Sequence, residues 1–213
     1  MGIWNVSLTS KGSITSARTV KMCLARVVKM NLPKRLTPNT EVTMKFSDGC
    51  EVLVPKTSLL VNSWKENQLF DTFGGKAVLE DAGGPTFAEL LVYRYFRKAN
   101  WSARWIVTYG SPRKKPRYLT EWVPQGGLKT QVHQPIQDAS ILKALDSIVD
   151  QNGNQYSGCW DVVAWRDKKI VFAELKRKGH DKIQRTQLMW IQNALKVGFS
   201  PKNFLLVEWD FRT

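Results

Sequence analysis

Trp160-Asp161-Val162-Val163-Ala164-Trp165, the turn Arg166-Asp167-Lys168, and Lys169-Ile170-Val171-Phe172-Ala173-Glu174-Leu175-Lys176 form the stretch on which the fold depends. Two short runs of branched and aromatic residues around a charged turn predict a β-hairpin. Side chains alternate across a strand, so Ile170, Phe172, Glu174 and Lys176 share one face, and Val171, Ala173 and Leu175 share the other. If the loop is Asp167-Lys168, Asp161 falls directly opposite Glu174; a three-residue loop would make the pair diagonal. Opposed residues hold their Cβ atoms ~4.5 to 5.5 Å apart, and two like charges at that range weaken a sheet. A divalent cation compensates. Mg²⁺ takes one or two carboxylates, a backbone carbonyl such as that of Leu175, and oxygens of water and phosphate. Lys176 would then stand beside the ion, placed to hold an attacking water or to neutralise charge on a phosphate. The ordinary reading is a solvated salt bridge at a strand end, and on spacing alone it is the commoner one. The chain holds a second acid-x-lysine, Asp167 and Lys169, but only Glu174 follows a buried-type strand and faces another carboxylate.

Outward from the hairpin, Pro85 opens a run with apolar residues at 87, 90, 91 and 95, which predicts an amphipathic helix over 86–98. Residues 104–109 (RWIVTY) read as a strand, and Pro112 to Arg117 as a basic loop pinned by prolines. Ile141, Leu142, Leu145, Ile148 and Val149 share a face of a helix over 136–150. After the hairpin, Asp181 offers a capping carboxylate to a helix ending at Gly198, and 203–208 reads as a closing strand. The order is helix, strand, inserted helix, strand, strand, helix, strand. Before Pro85, EVTMKF and CEVLVP flank Ser47-Asp48-Gly49 as a first hairpin, the expected content of a small amino-terminal β element. Residues 56–83 read as connecting structure.

Asp161, the Glu174-Leu175-Lys176 triplet and Gln187-Leu188-Met189-Trp190 in the following helix resemble the PD-(D/E)xK nuclease superfamily, most closely its VRR-NUC branch of junction- and flap-processing nucleases. The resemblance covers residues 85–209. It implies an α/β protein with a restriction-endonuclease-like αβββαβ core, in which helices flank a mixed central sheet. It implies Mg²⁺ or Mn²⁺ ligated by Asp161, Glu174 and the Leu175 carbonyl, with Lys176 acting on the nucleophile. The family's helix glutamine falls on Gln187 and its first-helix acid on Glu89. Thr86-Phe87-Ala88-Glu89 also fits a capping box, which gives Glu89 a second reading. Trp160 stands where the family's proline usually sits, and residues 110–158 are an insertion. Residues 1–84 then form a basic arm with a β-hairpin element, and 85–213 the nuclease-like domain.

Composition points the same way. With 43% apolar and 23% charged residues among 213, the chain suits a globular fold, and 32 Lys and Arg against 18 Asp and Glu leave +14. Such an excess points to a polyanion, with nucleic acid ahead of an anionic membrane. No apolar run approaches the ~18–20 residues of a membrane span. Between Leu90 and Thr120 there is no acid, while Arg94, Arg97, Lys98, Arg104, Arg113, Lys114, Lys115 and Arg117 all fall inside. Arg113, Lys114, Lys115 and Arg117, with Arg177 and Lys178 beside the acid strand, are the expected nucleic-acid contacts. Trp101, Trp105 and Trp122 flank the loop and invite base stacking, although most tryptophans read as core. Cys23, Cys50 and Cys159 match neither a disulfide framework nor a zinc site, and a reducing compartment is expected.

Residues 1–40 hold seven Lys or Arg and no acid, the pattern of an organelle transit segment or of a nucleic-acid-binding arm. The expected protein is an intracellular DNA endonuclease, cytoplasmic or nucleoid-associated, acting on branched DNA. A homodimer would suit a symmetrical junction on the resemblance alone. A non-catalytic nucleic-acid binder on the same fold and a sequence-specific restriction enzyme remain alternatives.

Overall fold

The computed structural model describes residues 30–66, 72–108, 115–124 and 126–213. In chain order its strands and α-helices are β1 (Thr40–Lys45), β2 (Glu51–Ser63), β3 (Leu79–Asp81), β4 (Gly84–Thr86), α1 (Ala88–Lys98), β5 (Ser102–Val107), β6 (Arg117–Leu119), α2 (Ala139–Gln151), β7 (Val162–Arg166), β8 (Lys169–Arg177), α3 (Arg185–Lys196) and β9 (Phe204–Phe211). Among the described residues the nine strands make one sheet, ordered β4-β3-β2-β9-β8-β7-β5-β6 with β1 on β2. Only β2–β9 and β8–β9 are parallel, so the sheet is mixed and mostly antiparallel.

The β7–β8 hairpin forms in the register that a two-residue loop dictates, with Val162 opposite Ala173 and Arg166 opposite Lys169. Asp167 turns the chain at a φ of 56°, a left-handed conformation that a short polar side chain tolerates. The alternation then decides which helix covers which face. Val163, Trp165 and Phe172 pack with Ile141, Leu145 and Ile148 of α2 and Trp190 and Ile191 of α3. Val162, Ala164, Val171, Ala173 and Leu175 pack with Leu91, Val92 and Phe96 of α1. Each helix therefore reports a sheet face through its own apolar stripe.

Two helix starts differ from the sequence reading. Asp181 does not cap α3: its Oδ2 accepts from the Arg177 N–H at 2.9 Å, closing the turn after β8. The cap is Gln184, in a reciprocal box with Gln187. The Thr86–Glu89 capping box does not form either, because the N-cap of α1 is Phe87 and lacks a side-chain bond. By contrast Asp138 caps α2, accepting from the N–H groups of Ser140 at 2.9 Å and Ile141 at 3.3 Å.

The first hairpin forms around Ser47-Asp48-Gly49, but β2 runs on through Lys56–Ser63, a segment that reads as connecting structure in the sequence. That extension lies parallel to β9, so the sheet itself crosses the boundary expected at residue 84. Polar residues disguised it. Lys56 is on a strand because it is paired with Glu208 of β9 at 2.9 Å, and Thr57 is buried against the neighbouring strands. The insertion 110–158 supplies β6, an edge strand on β5, and the whole of α2. Arg113, Lys114, Cys23 and residues 1–29, which carry most of the expected arm, lie outside the described residues.

Candidate active site

The pairing pattern brings five chain segments to one edge of the sheet. The end of β8, the residue just before β7 and the end of β5 are neighbours there, since the Ile106 N–H donates to the Asp161 carbonyl at 2.7 Å. Because β9 runs parallel to β8 and β6 antiparallel to β5, Trp209 and Arg117 lie at that edge too. A cleft of about 380 Å³ opens on this edge, lined by Glu89, Asp161, Glu174, Leu175, Lys176 and Gln187 together with Lys76, Arg177 and His180. The residues named from sequence for catalysis and metal ligation thus face a single space.

Within the cleft the bonds are specific. Asp161 sits one step beyond the last rung of the ladder, and its Oδ2 accepts from the Leu175 N–H at 2.9 Å. In a strand the N–H and C=O of one residue point the same way, so the Leu175 carbonyl faces the same flank, past the start of β7. Glu174, 1% exposed, accepts on Oε1 from Lys176 Nζ at 2.7 Å and from Gln187 Nε2 at 2.6 Å. Its Oε2 is buried without a hydrogen-bond partner. Gln187 works at both ends, because its own Oε1 accepts the Gln184 N–H at 2.8 Å and fixes the amide to the helix start. Gly158 holds this corner closed: at a φ of +79° it lies so near the first turn of α3 that a Cβ would come within 2.0 Å of the Thr186 carbonyl oxygen.

Lys76 is the residue that sequence reasoning missed. It follows a turn in which Phe73, Gly74 and Gly75 all have positive φ, at 52°, 77° and 82°. The Lys76 N–H donates to the Thr72 carbonyl at 3.0 Å, and the Gly75 N–H to Thr72 Oγ1 at 3.1 Å. Its ammonium forms an ion pair with Glu89 and lies 5.7 Å from the Phe73 ring centroid and 5.9 Å from that of Trp105. The available signal was Gly74-Gly75 immediately before an isolated lysine, a backbone built to turn sharply.

Burial, then the Asp161 charge, drives the Glu174 carboxyl well above the ordinary glutamate value despite Lys176. Burial and Glu89 raise Asp161 as well, against Lys76, the Leu175 N–H and Lys176. Burial works against the Lys76 charge, but Glu89, then Asp161 and Glu174, hold its pKa above the usual lysine value. Two acids that resist ionising beside an unpartnered buried oxygen suit a hard divalent cation, which stabilises the ionised form of both. No group of three or more His, Cys, Asp or Glu residues among the described ones is arranged to hold a metal ion. The donors on offer are two carboxylates and one carbonyl.

A pH dependence follows. Acids whose folded pKa exceeds the unfolded value bind extra protons in the folded state, so stability falls as pH rises from the ordinary carboxylate range through the folded values. In EDTA the melting temperature is expected to drop as pH rises above the ordinary carboxylate range, less steeply in Glu174→Gln, and saturating Mg²⁺ is expected to flatten the slope. Thermal melts across that range check it; a flat profile in EDTA contradicts the assignment.

The basic residues divide. Lys178 is exposed beside the cleft, and Arg177 lines it with its guanidinium 4.7 Å from the Phe211 ring centroid. Lys115 and Arg117 line a separate groove with Lys129 and His133. Arg94 is paired with Asp81 at 2.9 Å and Arg104 donates to the Gln134 carbonyl at 2.7 Å, so the acid-free stretch is not one free cationic face. Trp101 and Trp105 are buried and are not available for base stacking. No family model, curated protein or solved structure matches the chain.

Proposed function

We propose that the chain is a metal-dependent nuclease that hydrolyses phosphodiester bonds in DNA at flaps and junctions. The order α1, β5, β7, β8, α3, β9 supports a restriction-endonuclease-like αβββαβ core, and the site supports kinship with the PD-(D/E)xK nucleases. The observation that carries the reading is the convergence of Asp161, Glu174, Lys176 and Gln187 on one cleft, with Glu174 Oε2 buried and unpartnered there.

Asp161, Glu174 and the Leu175 carbonyl would hold Mg²⁺ or Mn²⁺. Such an ion supplies Lewis acidity to a phosphoryl oxygen and makes water more acidic. The chain's own residues do the rest. Gln187 holds the Glu174 carboxylate in place from α3, and the Leu175 N–H does the same for Asp161. Lys176 carries an ammonium 2.7 Å from Glu174, where it can donate to the entering oxygen or offset charge building on the phosphate. Glu174 is 1% exposed beside the packed rings of Trp160, Phe172 and Phe204, and low local dielectric strengthens its electrostatic contacts.

Arg177 and Lys178 on one flank of this edge, and Lys115 and Arg117 at its β6 end, would hold the phosphate backbone. Removing Lys178 or Lys115, both exposed, is expected to weaken binding to all sequences alike and to reduce the slope of log affinity against log salt by ~1 each. Fluorescence anisotropy over a salt series checks this; an unchanged slope removes that residue from the interface.

The test is cleavage of labelled duplex, flap and four-way junction by the purified chain in Mg²⁺ or EDTA, beside Asp161→Ala. Mg²⁺-dependent cutting lost in the variant supports the reading. Cutting that survives EDTA and the substitution overturns it. Salt-sensitive binding without cutting leaves a nucleic-acid binder, and discrete fragments from plasmid DNA mark a restriction enzyme.

A further inference from the structure

Three carboxylates line the cleft, Glu89, Asp161 and Glu174. As they stand they are not grouped as one three-acid ligand set, but a third acid free to ligate would favour a second divalent ion, the arrangement of two-metal phosphoryl-transfer sites. We propose that Lys76 is a built-in cation that withdraws Glu89 from metal coordination and leaves this centre with a single divalent ion, held by Asp161 and Glu174. The inference rests on the nuclease reading and adds the stoichiometry of the centre and the role of a residue outside the expected motif.

Position carries the argument first. The Glu89 carboxylate is engaged by the Lys76 ammonium, which occupies it as an ion-pair partner inside the cleft. The ammonium is not free to swing away. The turn that carries it is closed by the Lys76 and Gly75 N–H groups donating to Thr72, and the ammonium lies within about 6 Å of both the Phe73 and Trp105 ring centroids, a contact that favours a cation. The oxygen left without a partner is Oε2 of Glu174, whose Oε1 is already taken by Lys176 and Gln187.

Charge carries it second. Three ionised acids, the two ammoniums of Lys76 and Lys176, one divalent ion and one phosphodiester balance to zero. A second divalent ion leaves two positive charges in excess in a cleft with low-dielectric walls, which is costly. Lys76 thus does with a fixed ammonium what a second ion does elsewhere. The same ammonium also lines the adjoining groove with Trp105, Gly158 and Thr186, and so stands where a backbone leaving the cleft would pass.

Mn²⁺ titration by calorimetry on the full chain tests this, with electron paramagnetic resonance as a second readout. The wild type is expected to bind one ion. Lys76→Met frees Glu89 and is expected to bind two, with the exchange-coupled spectrum of neighbouring Mn²⁺ ions, while Lys76→Met/Glu89→Gln returns to one. Lys76→Arg keeps the charge and stays at one. Glu89→Gln alone is expected to leave Mn²⁺ affinity within about threefold; a loss beyond ~tenfold makes Glu89 a ligand and overturns the proposal. Two ions in the wild type, or one in a Lys76→Met protein shown folded by circular dichroism, also overturn it. No Mn²⁺ uptake by the wild type defeats the metal-centre reading itself, an outcome distinct from wrong stoichiometry.

Discussion

If the chain is the nuclease proposed, Asp161→Ala is expected to lower Mg²⁺-supported DNA cleavage by about a thousandfold or more, since it would remove one of two carboxylates from the ion and untie the Leu175 N–H. Lys176→Met is expected to cost a similar factor by a different route. Its ammonium lies 2.7 Å from Glu174, so its loss leaves the carboxylates in place and removes a positive charge from beside the reacting phosphate. The two variants therefore separate in binding. Asp161→Ala should lose Mn²⁺ uptake together with activity, whereas Lys176→Met should retain Mn²⁺ and DNA and lose the rate. Single-turnover cleavage with saturating enzyme, read beside equilibrium DNA binding, isolates the chemical step. A Lys176→Met enzyme within tenfold of the wild type would show that the charge next to Glu174 is structural.

The second large effect is structural and lies outside the charged cluster. Gly158→Ala is expected to destabilise the fold by roughly 3 kcal/mol, or about 6–12 °C in melting temperature. The added Cβ meets the Thr186 carbonyl oxygen at 2.0 Å and the Gln187 N–H nitrogen at 2.8 Å, and the φ of +79° is itself unfavourable for alanine. Relief requires the start of α3 to move away from the sheet. Gln187 would move with it and loosen its 2.6 Å bond to Glu174, so activity should fall further than stability accounts for. Gly153→Ala is the control, because it shares a positive φ but meets nothing within 4 Å. Equal losses in the two variants would mean that only backbone strain matters and that the packing against α3 does not.

Legibility from sequence followed the strength of local rules. The β7–β8 hairpin was readable because alternation and branched residues agreed, while its register hung on the loop length until the ladder placed Val162 opposite Ala173. That register alone put Asp161 across from Glu174. Gln187 could be placed because it neighbours the apolar stripe of α3. The continuation of β2 was hidden, since Lys56 and Thr57 look like loop residues until the partner strand supplies Glu208 and a buried face. Strand pairing across about 150 residues has no local signature. Lys76 was hidden for the same reason. Nothing near it in sequence tells that its turn comes to rest against Glu89 and Trp105. Asp181 misled because an acid ahead of a helix usually caps it, and here it satisfies the strand that ends instead.

The most direct measurement is a crystal structure of the full chain grown with Mn²⁺, phased so that anomalous density marks the metal. The expected result is one peak about 2 Å from the Asp161 carboxylate and from Glu174 Oε2, with the Leu175 carbonyl as third protein ligand and Lys76 still on Glu89. A map with no peak between Asp161 and Glu174, or with its only strong peak elsewhere on the molecule, contradicts the account.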